Sequence, residues 1–105
     1  MTVNEFRPIA VRCDPNISHW ESTEKDGNYS TWHEFQRVGI SGDSTEAEEA
    51  WRFQVDRFTR DEDDPMIRHI WDTLLNEPRL TYPEHHVMFE NASGYIHHVF
   101  QVRGV

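Results

Sequence analysis

Between Trp51 and Asp56 the chain alternates. Trp51, Phe53 and Val55 are apolar, and Arg52, Gln54 and Asp56 between them are polar. This period of two predicts a strand with one buried face and one wet face. At Phe58 the phase changes, which calls for a bulge or for cover on the second face at the strand's end. A different period follows. Met66, Ile67, Ile70, Trp71, Leu74 and Leu75 recur at three- and four-residue spacing and form one apolar stripe of a helix. Asp64 before Pro65 is the start signal: the carboxylate accepts from free backbone N–H groups, and proline is preset for the first helical position. Asp61, Glu62 and Asp63 add negative charge near the positive end of the helix dipole. Asn76-Glu77-Pro78 stops the helix. Ile70 and Leu74 are therefore expected to face a sheet that contains the preceding strand.

The remaining pattern builds on this pair. Residues 1–13 carry Phe6, Ile9 and Val11, and Pro8 reduces them to an edge strand or arm. Residues 14–30 have loop chemistry, with Asp14-Pro15-Asn16 and the turn Asp26-Gly27-Asn28. A second strand is predicted over 29–40. Residues 44–50 are acidic and read as a hairpin tip. After Pro78, a strand holds Val87, Met88 and Phe89, a turn spans Asn91 to Gly94, and a last strand runs from Tyr95 to Val102. In that hairpin Glu90 faces Tyr95 and Val87 faces His98. The order is β-β-β-α-β-β. It predicts an α+β fold, a single antiparallel sheet of four to five strands packed against one main helix. Residues 1–30 would be an extended arm and loop, and residues 31–105 the sheet-plus-helix core. At 105 residues one domain is expected. Such a sheet leaves edges open, which suits a protein that works in an assembly.

Charge changes the picture of the surface. The net charge is -9, and Lys25 is the only lysine. A surface this acidic argues against wrapping nucleic acid through its phosphates and against anionic membranes, and its plain consequence is solubility. The mean hydropathy is -0.80. No apolar run is long enough to span a membrane, and residues 1–12 lack the basic start and apolar middle of a secretory signal. One cysteine, Cys13, cannot form an internal disulfide and fits a reducing cytoplasm or a place where disulfides are not needed.

Candidate chemistry is sparse. His85-His86 and His97-His98 lie on strands joined by a hairpin, so one histidine of each pair can meet the other on one face. A metal site there needs a third ligand, for which Glu84 and His33 are candidates. Neighbouring residues on a strand point to opposite faces, so at most two of the four share a side. Cys13 has no strained elbow or CxxC around it. The acidic run 61–64 lacks the alternating ligands and central glycine of a calcium loop, and helix capping explains it. The reading is a non-enzyme with no catalytic, cofactor-binding or metal residues.

AWRFQVDRFTRD, then DDPMIRHIWDTLL, then strands ending in YIHHVFQVRGV resemble the small tail-terminator or tail-completion (head–tail joining) proteins of long-tailed bacteriophages. The resemblance covers roughly residues 32–102 and is one of element order. That family opens with a helix of about four turns, where residues 1–30 here read as extended. The resemblance implies a structural virion protein, assembled in the host cytoplasm. It forms a ring, usually a hexamer, on the end of the tail tube, against tail-tube and head-completion proteins. DNA passes through without specific binding, and no membrane is involved. An acidic lumen repels phosphate and lets DNA slide. On this reading Asp43, Glu46, Glu48 and Glu49 in the hairpin tip, and Glu21, Glu24 and Asp26 in the loop, are candidate inter-subunit or lumen contacts.

Two other classes stay open. An acidic DNA mimic would block a nuclease or repair enzyme, although its acids would line one extended face. A small histidine-containing enzyme on a ferredoxin-like scaffold would use the histidines and aromatics around a pocket.

Overall fold

A computed structural model describes residues 1–22, 26–39 and 50–105. The described elements are α1 (Val3–Cys13), β1 (Ser18–His19), β2 (Tyr29–Val38), β3 (Ala50–Thr59), α2 (Pro65–Leu75), β4 (Leu80–Glu90) and β5 (Tyr95–Gly104). The strands form one five-stranded sheet in the order β1-β2-β3-β5-β4. The fold is α+β. All neighbours pair antiparallel except β1, whose two residues pair parallel to β2. The sheet is thus mixed at that edge.

Residues 3–13 correct the sequence reading, being helical and not extended. Phe6, Ile9, Ala10 and Cys13 form a buried stripe at helical spacing. Thr2 and Glu5 close a reciprocal capping box: the Thr2 oxygen accepts from the Glu5 N–H at 3.2 Å, and a Glu5 carboxylate oxygen accepts from the Thr2 N–H at 3.0 Å. The Thr2 N–H first, and then the Arg79 guanidinium 2.7 Å from the other carboxylate oxygen, hold the Glu5 pKa down to about 2. Pro8 sits inside this helix with its ring exposed. Phe6 stacks on Phe53 with ring centres 4.2 Å apart and leans on Trp32 at 5.4 Å. Full burial of such a ring contributes about 1.5–3 kcal/mol. The core is therefore not confined to residues 31–105.

α2 lies as expected. Asp64 accepts from the Met66 N–H, Pro65 opens the helix, Asn76 caps its end, and Ile70 and Leu74 are buried. α1 and α2 pack against each other, and both cover one sheet face, whose core is Trp32, Phe53, Val55, Phe100 and Val102.

The other face explains the phase change at Phe58. β3 keeps its register there. Phe58 stacks on Tyr29 at 4.6 Å and on His97 at 4.2 Å, with Tyr95 edge-on. A small aromatic cluster thus covers this end of the second face. The register shift in β2 lies elsewhere, between Glu34 and Gln36.

Candidate functional site

The acidic residues come first. Asp43, Glu46, Glu48, Glu49 and Glu24 lie outside the described residues, as does the tip predicted over 44–50 except Ala50, which opens β3. Glu21 and Asp26 are exposed in the connection between β1 and β2. The Asp26 carbonyl accepts from Arg60, whose guanidinium also lies 3.9 Å from the Tyr95 ring centre. Tyr95 in turn donates its hydroxyl to the Gly27 carbonyl at 2.8 Å. The loop that carries Asp26 is thus tied to the aromatic end of the sheet.

The histidine pairs fall as the hairpin register predicts, with Glu90 opposite Tyr95 and Val87 opposite His98. On the helix-covered face, His85 Nε2 and His98 Nδ1 share a proton at 2.9 Å. His85 lies flat on Phe100, with ring centres 4.3 Å apart, and Trp71 of α2 approaches it at 5.9 Å. Burial, and then each ring's histidine neighbour (His86 for His85, His85 for His98), lowers both pKa values below the usual histidine range. Neither suggested third ligand joins them: Glu84 pairs with Gln101 on the other face, and His33 stands over Asp56 there. Among the described residues no group of three or more His, Cys, Asp or Glu is placed to hold a metal ion.

The open face carries a second network. Asp56 is buried and accepts from His97 Nε2 at 2.7 Å and from Gln54 Nε2 at 2.8 Å. Gln101 donates to Gln54 at 2.9 Å. Trp20, left-handed at φ 72°, stacks over His33 at 5.0 Å. The His97 and Gln101 bonds join β5 to β3, the Gln54 bond lies within β3, and together they satisfy the carboxylate that β3 buries.

A third cluster escaped sequence reasoning. Arg57 of β3 is buried and donates to Asp64 at 2.9 Å, Asp14 at 3.3 Å and the Ser30 hydroxyl at 3.2 Å. Burial pushes the Asp64 pKa up, but bonds from Arg57, the Met66 N–H and Thr59 outweigh it, so the value is lowered. A polar cleft of about 590 Å³ opens over this cluster. Its charged groups are committed to one another, so it is a clamp between β3 and both helices. Cys13 is fully buried and its thiol is pushed up to about 12, mainly by burial, which keeps it from acting as a thiolate nucleophile.

The last feature is a margin. β4 is an edge strand. Four of the nine large apolar side chains exposed among the described residues lie on it: Tyr82, Val87, Met88 and Phe89. Their side chains flank an outer row of β4 backbone groups that no strand among the described residues pairs. No protein-family model matches the chain, and no curated protein matches it.

Proposed function

We propose that the chain is a structural subunit of the tail-terminator or tail-completion kind. Copies of it form a ring at the tail end or head–tail junction of a long-tailed phage. The ring caps the tail tube, receives the head-completion proteins and lets DNA pass. The observation that carries this reading is the helix at Val3–Cys13. With it the order becomes helix, the short β1, hairpin, helix, hairpin, and the opening element that the resemblance calls for has a counterpart. The net charge of -9 fits a passage for DNA, since carboxylates repel phosphate. Glu21 and Asp26 are exposed, as residues facing such a lumen would be.

Negative-stain electron microscopy of the purified protein, with light scattering on the same sample, tests the proposal. Closed rings, hexameric by mass, are expected. A protein that stays monomeric at its solubility limit, and that forms no ring when mixed with tail tubes, would overturn it.

A further inference from the structure

β4 contains the run Glu84-His85-His86-Val87-Met88-Phe89-Glu90. Side chains alternate between faces along a strand, so three consecutive apolar residues put apolar surface on both faces. Val87 and Phe89 pair with His98 and Ile96 on the helix-covered face, beyond the reach of α2, and Met88 pairs with His97 on the other. They are 55%, 62% and 51% exposed. Among the described residues no strand lies beyond β4. An unpaired strand whose side chains are apolar on both faces fits another strand beside it, not a ligand in a pocket.

We propose that this strand is a second copy's β4, paired antiparallel about a two-fold axis through Met88. In that register Met88 meets Met88, Val87 meets Phe89 of the second copy, and His86 meets Glu90. The last two pairs each occur twice. Every apolar residue of the run meets an apolar residue on its own face, and each Glu90 carboxylate meets an imidazole. An axis through Val87 instead sets Glu84 against Glu90, two like charges directly opposed. An axis through His86 sets Phe89 against Pro83, at the register shift between Thr81 and Glu84 where Tyr82 turns left-handed (φ 52°). An axis through Phe89 sets Met88 against Glu90 and runs Val87 into the turn at Asn91. Charge and apolar matching therefore select one register. The contact is isologous and closes at two copies. It does not depend on a ring, whose head-to-tail contacts need two different surfaces. A ladder of five residues is small, so the dimer should dissociate on dilution.

Cysteine cross-linking tests the register. Opposed residues bring their Cα atoms about 4.5–5.5 Å apart, within disulfide range. Met88→Cys should become a disulfide-linked dimer under mild oxidation, and Val87→Cys should lag well behind it. Val87→Cys combined with Phe89→Cys should again link quickly. Cys13 is fully buried, so the native thiol does not compete. The unsubstituted protein should sediment as a concentration-dependent monomer–dimer or larger species, and Met88→Lys should lose this contact while unfolding at the temperature of the dilute, dissociated unsubstituted protein. A Met88→Cys chain that stays unlinked overturns the proposal, and Val87→Cys linking faster than Met88→Cys overturns the register. Rings without the Met88 cross-link would remove this contact and leave the ring. Cross-linked dimers with nothing larger would do the reverse.

Discussion

The Arg57 guanidinium donates from Nε to Asp64 Oδ2 at 2.9 Å, fastening the middle strand of the sheet to the residue that caps α2. Through Nη1 the same side chain holds Asp14 at the end of α1. Both carboxylates and the guanidinium are buried. Replacing Arg57 with Met leaves the carboxylates buried without their cation, and losing one partner of a buried pair costs about 3–5 kcal/mol. Urea unfolding should show a loss of that size. A change below about 1 kcal/mol would mean that water enters the cluster and solvates the acids.

The His85–His98 pair should make stability depend on pH. Both pKa values are lower in the folded chain than the ordinary 6.5. As pH falls below about 6.5 the unfolded chain takes up protons that the folded pair refuses, so stability falls. Asp64 and Arg57 face His98, and His86 and His97 adjoin the pair. Asp64 belongs to a lower window: its depressed value contributes stability above its ordinary 3.8, lost as pH falls through the folded value. The melting temperature should drop between pH 7.5 and 5.5, and His98→Phe should flatten that drop. Parallel curves for the two proteins would rule out this linkage.

Gly104 has no room for a methyl group. A Cβ there would lie 2.8 Å from Met1 Cβ and 2.9 Å from the Phe53 ring. Gly104→Ala gains roughly 0.4–1 kcal/mol from a stiffer unfolded chain, but overpacking costs about 1–3 kcal/mol. The clash wins because Phe53 is itself fully buried and stacked on Phe6. A net loss should appear in chemical denaturation. An unchanged midpoint would show that Met1 swings aside at little cost.

Pro8 interrupts α1 from its exposed side. It cannot donate to the Asn4 carbonyl, and an interior proline costs about 3 kcal/mol in a helix. Pro8→Ala removes no core contact and should raise stability by about 1–3 kcal/mol. Circular dichroism during thermal melting would check it, and a lower melting temperature would mean that the proline ring is needed where it lies.

Pro8 is also why α1 was hard to read. The stripe Phe6, Ile9, Ala10 and Cys13 and the Thr2–Glu5 box are both visible in the residues, but proline is a stronger local signal than either. Tertiary burial against Phe53 and Trp32 overrides it. The α2 boundaries and the β4–β5 register were legible because caps, prolines and turn length set them locally. The Arg57 clamp was not, because Asp14 lies 43 residues away in sequence. Nor does the run 87–89 reveal its exposure, which depends on how far α2 reaches across the finished sheet.

The strand order has a kinetic consequence. β5, last of the strands along the chain, is not at a margin but between β3 and β4. On a ribosome, the first hairpin and both helices emerge before the strand that joins the two halves. Phe53 and Val55 must wait for Val102 and Phe100, so in nascent copies this edge of β3 stays unpaired, even with both helices made, until synthesis reaches Gly104. Slow folding through distant pairings follows, and that interval is when a holding chaperone has most to shield.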